Sequence, residues 1–380
     1  MKKGLLLSVV ATGFIFAGGN IAPVAPVAPQ VAPAACDFWG QIGARYEFKD
    51  NGTLKLGDKE NNTWKTTVVL GVNKQIGYGF GIGAEVAATT QLGLNDIAAD
   101  TDESAELSEL YLTYKAGNTA VKAGRQALPK TLSPWAWTDS TLGRKDTTFE
   151  GVVAINTDLA DTTLVGAWIS KAGTGSTFNN VNGVNATGLF AIAAENKSIA
   201  NTTLRGTLYY VTKAKITSAW ASAETKAANV NLGFQAAYVK AKGSKASLGL
   251  AAYAGTKFDA LDAKLTVAFI NDGAAPLCIS GTSGFWGNSF AGGFGTTVSA
   301  TGGKQKIARL DLSYPLANGK IYGGVGVDKP DNGKTAVGGR VGYTFKIADV
   351  NAKVEYRYLK NKDFSDRKDQ RIRVEGVYKF

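Results

Sequence analysis

The feature that most constrains this chain is a two-residue alternation of apolar and polar side chains, recurring in runs of roughly ten residues separated by turn residues. The final run is the clearest. In Gln370–Phe380, Ile372, Val374, Gly376, Tyr378 and Phe380 fall on one parity, and Arg371, Arg373, Glu375 and Lys379 on the other. A strand of this kind is apolar on one face and charged on its reverse. A water-soluble sheet can also do that, but about ten residues is what a tilted strand needs to cross a bilayer, and a terminal aromatic suits the depth of a membrane interface. The run after Cys36 repeats the pattern, with Phe38, Gly40, Ile42, Ala44, Tyr46 and Phe48 opposed by Gln41, Arg45 and Glu47.

Between these two, the same reading places strands from Trp64–Asn73 through Asp349–Leu359, and the total is about eighteen. The connections carry independent information. Alternate ones are tight, such as Gly117-Asn118, Leu316 to Gly319 and Ile347 to Asp349. The intervening ones, including Lys49 to Thr63, Gln91 to Leu107, Leu128 to Asp146, Ala172 to Gly188 and Asp272 to Gly303, are mostly longer and polar or glycine-rich. The expected fold class is therefore all-β: a closed antiparallel transmembrane β-barrel over 37–380, with short periplasmic turns and long extracellular loops. Proline agrees, since none interrupts a proposed strand and Pro315 falls at a strand end. A soluble β-sandwich is the competing reading, but it would not need the aromatic strand ends. On the outward parity Leu112, Val153, Leu312, Val341 and Val374 are expected to face lipid.

Ahead of the barrel, Lys2 and Lys3 precede an apolar run ending in Ala17-Gly18-Gly19, the form of a secretory signal over 1–19. Residues 20–36 are an Ala/Pro-rich linker with Pro23, Pro26 and Pro29 at polyproline spacing. The chain has no histidine, which removes His-based triads, bases and metal ligands. Cys36 and Cys278 are too few for a disulfide framework or metal knuckle. The acids from Asp96 to Glu103 lack the ordered spacing of a calcium loop. No cofactor and no metal site are expected. The net charge of +11 is spread along alternating strands rather than gathered in a basic run, so nucleic acid is not an expected partner.

The connection Leu128–Asp146 is built to pack rather than to wave in solvent. Pro129 and Pro134 stiffen it, Trp135 and Trp137 give it surface to bury, and Lys130, Asp139, Arg144 and Lys145 give it charge. Gly124-Arg125-Gln126, then Pro129, then Asp139-Ser140, then Thr148-Phe149-Glu150-Gly151-Val152 resembles the corresponding region of OprD-like outer-membrane porins. The chain as a whole is similar to the major outer-membrane porins of campylobacter-like bacteria. That resemblance implies an eighteen-stranded barrel narrowed from inside by this third loop, with basic residues lining the lumen. The constriction residues would then be Lys130, Trp135, Trp137, Asp139, Arg144 and Lys145. The two tryptophans depart from the family pattern, which bears on solute preference more than on the fold.

Taken strand by strand, the inward parity carries Arg45, Lys65, Lys122, Arg205, Lys264, Arg309, Arg340, Lys353, Arg357, Arg371 and Arg373, against Glu47, Glu85, Glu109, Glu150, Asp311, Glu355 and Glu375. The candidate pore lining is Arg125, Arg309, Arg340, Arg357, Arg371, Arg373, Glu150 and Glu375. Arg125 breaks the phase of its strand and reaches the lumen only if Gly124 forms a bulge. The expected function is a water-filled outer-membrane channel for passive diffusion of ions and small hydrophilic solutes, weakly preferring anions and carboxylates. The alternative is a structural or adhesion barrel without a wide pore. An enzyme is not expected. The expected location is the outer membrane of a Gram-negative bacterium. Partners would be outer-membrane lipid and lipopolysaccharide, small solutes, and the barrel-assembly machinery through the C-terminal strand, with monomer or homotrimer left open.

Overall fold

The computed structural model describes residues 36–50, 62–91, 104–129, 138, 140–174, 177–180, 188–271, 304–330, 335–361 and 367–380. The expected signal and all but the last residue of the linker lie outside the described residues, as do Lys130, Trp135, Trp137 and Asp139. No described residue is helical.

In chain order the strands are β1 (Asp37–Asp50), β2 (Asn62–Gly77), β3 (Phe80–Gln91), β4 (Ser104–Ala116), β5 (Thr119–Gln126), β6 (Ser140–Thr141), β7 (Arg144–Lys145) and β8 (Thr148–Asn156). There follow β9 (Thr162–Thr174), β10 (Thr177–Asn180), β11 (Leu189–Asn196), β12 (Thr202–Val211), β13 (Ile216–Ala227), β14 (Val230–Lys240) and β15 (Ser247–Phe258). The last are β16 (Leu261–Ile270), β17 (Gln305–Leu316), β18 (Gly319–Pro330), β19 (Ala336–Ile347), β20 (Val350–Asn361) and β21 (Arg367–Lys379).

β6 and β7 pair only with each other, and β10 pairs antiparallel with the last residues of β9. The remaining 18 strands pair antiparallel in sequence order, and β21 closes on β1 through pairs such as Arg45↔Glu375 and Ile42↔Tyr378. Reciprocal backbone bonds of 2.9 Å between Gly40 and Phe380 seal the seam. Closure leaves no edge strand and satisfies the backbone groups that lipid cannot. The even count puts Asp37 and Phe380 at the same end as the tight turns. Pro315 and Pro330 occupy strand ends, where a missing N–H disturbs the ladder least.

The burial pattern is the reverse of a soluble protein's. Leu112, Leu312, Val341 and Val374 are exposed on the outside, whereas Glu47, Glu85, Glu106, Glu109 and Glu355 are buried. In water this ordering would be unstable, and with lipid around the barrel it is the stable one. The inner surface has two characters. From β8 round to β17 much of it is apolar, with Phe149, Val153, Ile155, Ile169, Leu189, Tyr209, Trp220, Val239 and Ile270 in one cluster. The rest is charged. Val153, expected to face lipid, is instead only 2% exposed within that inner cluster. Its neighbour Val152 is the outward one, opposite Trp168. With valine at both positions, the sequence offered only Glu150 as a marker of the inside, and that marker misleads for the reason given below.

Candidate pore wall and inward hairpin

The connection between β5 and β8 turns inward at its base. Leu128 is buried in the inner apolar cluster, its N–H donates to Thr138 Oγ1 at 3.0 Å, and the Thr138 N–H donates back to the Leu128 carbonyl at 2.9 Å. Beyond it, β6 and β7 form a hairpin closed by Leu142 and Gly143, with φ of 53° and 88°. Two positive φ values in a two-residue loop give a turn whose twist matches its strands. The tip lies on the inner face of β1, where the Gln41 side-chain amide donates to the Leu142 carbonyl at 3.2 Å. A Cβ on Gly143 would overlap that amide, and one on Gly43 would sit 2.9 Å from Leu142 Cβ. Glycine at both positions is what lets hairpin and wall touch.

A β-bulge supplies the anchor. Glu85 lies opposite Glu109 but Val86 lies opposite Leu107, so Ser108 is an extra residue in β4. Strict alternation would put Glu106 and Glu109 on opposite faces, and the bulge turns both inward beside Glu85. Arg144 Nε lies 2.7 Å from Glu106, and Lys145 Nζ pairs with Glu85 and lies 3.1 Å from Glu109. Lys122 Nζ approaches Glu109 at 3.8 Å, and the Ala127 N–H donates to the same carboxylate at 2.6 Å. Three cations meet three carboxylates. Buried charge is tolerable only when matched and hydrogen-bonded in this way. Arg144 and Lys145 are thus held inside the barrel by its wall. Glu106 was absent from the expected inward set; the three-residue spacing in Glu106-Leu107-Ser108-Glu109-Leu110 was the available sign of a bulge.

A second charged wall runs from β17 through β21 to β1. Arg45 Nε meets Glu375 at 2.6 Å, and Lys353 Nζ meets the same carboxylate at 2.7 Å. Glu47 takes Arg373 at 2.6 Å, Lys49 at 3.1 Å and Arg371 at 3.7 Å. Asp311 takes Arg309 at 2.6 Å and Arg340 at 3.4 Å, and Glu355 pairs with Arg357 and accepts from the Tyr322 hydroxyl at 2.8 Å. In these ion pairs eight cations share four carboxylates. The register adds a further fact: Arg371 lies directly opposite Arg357, and Arg357 directly opposite Arg340. Like charges so placed repel. Arg309, Arg340, Arg357, Arg371, Arg373 and Glu375 therefore come together on one wall, as their parity predicted.

Arg125 and Glu150 do not join them. The β4–β5 register runs through Gly124 without a shift, so no bulge turns Arg125 inward, and it lies opposite Leu110 on the outer face. Glu150 is opposite Arg125 and two residues from the outward Val152. The two pair at 2.8 Å, and Lys171 adds a contact to Glu150 at 3.3 Å. Their expected place in the pore lining is corrected: they form an ion cluster on the outside of the barrel, near its long-connection end. A carboxylate matched by two cations can stand on that face, which is why Glu150 was a false guide to the parity of β8.

No family model matches the chain, and no curated protein sequence does. Solved structures do match in fold. The crystal structure of Pseudomonas aeruginosa OpdO aligns over 91% of this chain and 97% of its own, at a TM-score of 0.70 and 12% identity. P. aeruginosa OccK8 (OprE) aligns over 92% and 99%, at a TM-score of 0.72 and 12% identity. P. aeruginosa OpdK, in a structure with vanillate, aligns over 90% and 99%, at 0.70 and 12%. At such identity the likeness establishes the barrel fold.

Proposed function

We propose that this chain, sharing the barrel fold of OpdO, OccK8 and OpdK, is an outer-membrane porin: a passive channel for small hydrophilic solutes that prefers anions, carboxylates among them. Its outward face is apolar apart from charges near the long-connection end, its long connections lie at that end, and its inner face is charged along a continuous wall. Nothing in this reading calls for a chemical step. The observation that carries the preference is the wall from β17 to β1, where eight cations share four carboxylates. Arg340, Arg357 and Arg371, aligned on neighbouring strands, present a row of guanidinium groups suited to a carboxylate that passes from one to the next. Vanillate, bound in the OpdK structure, is itself a carboxylate.

In this reading the β6–β7 hairpin narrows the pore and Arg144 and Lys145 hold it in place, so these two act by positioning rather than by lining the water column. Lys130, Trp135, Trp137 and Asp139, on the same connection, complete the proposed constriction. The terminal strand, ending at Phe380, is the proposed signal to the assembly machinery. Reversal potentials across a salt gradient in planar bilayers test the preference. Anion preference in the intact protein, reduced by Arg357→Gln and Arg371→Gln, is the expected result. Cation preference, or no change on those substitutions, overturns it. Absence of any conductance in refolded protein would instead favour a structural barrel.

A further inference from the structure

At the tight-turn end of the charged wall, the strands hold a cavity beyond the arginine row. The register fixes which side chains face it. Lys320 on β18 lies opposite Thr344 on β19, Thr344 opposite Lys353 on β20, and Lys353 opposite Glu375 on β21, which in turn lies opposite Arg45 on β1. Arg45 and Glu375 form an inner ion pair, so the whole row faces inward. Two residues nearer the turns, and therefore on the same face, Lys346 lies opposite Asn351. Lys320, Lys346, Lys353, Asn318, Asn351 and Glu375 are among the residues that line a cavity of about 380 Å³. That is the size of a small-ligand site, for which about 300–1,000 Å³ is usual.

The rim of this cavity is held in place. The Asn318 side-chain amide donates to the Lys346 carbonyl at 3.0 Å, and the Tyr343 hydroxyl donates to the Leu316 carbonyl at 3.0 Å, tying the β17–β18 turn to β19. The Thr344 hydroxyl donates to the Lys320 carbonyl at 3.3 Å. The three ammonium groups are unequally engaged. Lys353 Nζ lies 2.7 Å from Glu375, which Arg45 also meets at 2.6 Å. Lys346 lies 3.7 Å from Asp349, an exposed pair of the kind that contributes little. Lys320 is exposed, and no described residue pairs with it. Glu375, the acid of the cavity, is thus already matched, and residues 1–35, which precede β1 at this end, contain no Asp or Glu.

We propose that this cavity is a binding site for inorganic phosphate at the tight-turn mouth of the barrel. Three ammonium groups on separate flexible stems can close round a compact anion from different directions, whereas the planar guanidinium groups of Arg340, Arg357 and Arg371 suit flat carboxylates. A phosphate carries about two charges near neutral pH, against one for a monocarboxylate, and so gains more from cations gathered in one place. The Asn351 amide, opposite Lys346, adds a neutral donor. Arg357 lies four residues along β20 from Lys353. That is about 13 Å, beyond the roughly 8 Å screening length of physiological salt, so this site and the arginine row are separate. The inference rests on the inner face being open to water, as in the proposed channel; binding is read without current, so that the two can fail separately.

The test uses the full chain refolded in detergent, with inorganic phosphate as probe and acetate as control, binding being followed by isothermal titration and by phosphorus NMR line width. Phosphate should bind at least about fivefold more tightly than acetate. Lys320→Gln/Lys346→Gln should weaken phosphate binding by at least about fivefold. Lys320→Gln alone should weaken it in the same direction, and this single change decides the matter if the double variant fails to fold. Arg357→Gln/Arg371→Gln should alter phosphate affinity by less than about twofold while lowering the anion preference. Phosphate bound no more tightly than acetate, or bound undiminished by the folded Lys320 variants, overturns the proposal. So does a loss on Arg357→Gln/Arg371→Gln as large as that on Lys320→Gln/Lys346→Gln, which would put the anion on the arginine row. A protein that binds phosphate through Lys320 yet passes no current would support this site and overturn the channel reading alone.

Discussion

On the β3–β4 side of the lumen, three cations meet three buried carboxylates and tie a hairpin to the wall. On the β17–β1 side, eight cations share four carboxylates, and three arginines stand opposite one another on successive strands. The residue types are the same and the proportions differ. A balanced cluster has no net field to offer a passing ion, and its charges are spent on each other. Even with Asp369 near Arg371 and Asp328 on the same inner side, cations outnumber acids along this wall, and a positive field of that kind is what the proposed anion preference needs. The difference also separates two uses of cations in this protein: Arg144 and Lys145 hold a piece of chain, while Arg340, Arg357 and Arg371 present a surface.

The strongest way to break the comparison is at the lock. Lys145→Met leaves Glu85 and Glu109 without their shared cation, and removing one partner of a buried pair costs about 3–5 kcal/mol. The hairpin should detach, giving a higher and noisier single-channel conductance and faster proteolysis near Leu142. A quiet channel of unchanged conductance would show that the cluster does not hold the hairpin. Next in size is salt. At 1 M the screening length falls to about 3 Å, so the proposed anion preference, which acts on ions at longer range, should largely vanish while the contact ion pairs of the lock persist. Loss of the hairpin's protease protection over the same salt range would mean that the lock depends on long-range charge as much as the wall does.

Smaller again is the effect of two charges on the wall. At 4 Å in water a unit charge is worth about 1 kcal/mol, so Arg357→Gln with Arg371→Gln should lower the anion-to-cation ratio several-fold without altering conductance much. Arg125→Gln should do least. Because Arg125 lies outside the barrel, its loss should leave selectivity unchanged and shift stability by no more than about 1 kcal/mol, read from the unfolding midpoint of the refolded barrel. A selectivity change equal to that of Arg357→Gln would put Arg125 back in the pore.

The sequence by itself determined the barrel, its closure near the termini, and the wall of Arg309, Arg340, Arg357, Arg371 and Arg373. Those are consequences of period-two patterning, which is local and survives wherever one face is charged and the other apolar. Three things were decided only in the tertiary structure. The parity of β8 depended on an inner surface that is apolar from β8 to β17, so that Val153 faces inward while Glu150 stands outside with Arg125 and Lys171. The gathering of Glu85, Glu106 and Glu109 depended on a bulge at Ser108, which inverts the alternation within one strand. The landing of the Leu142–Gly143 tip on Gln41 joins residues about a hundred positions apart that no periodicity links. Alternation says which side chains share a face of one strand; which face is the inside, and what reaches it from elsewhere in the chain, follows only once the sheet has closed.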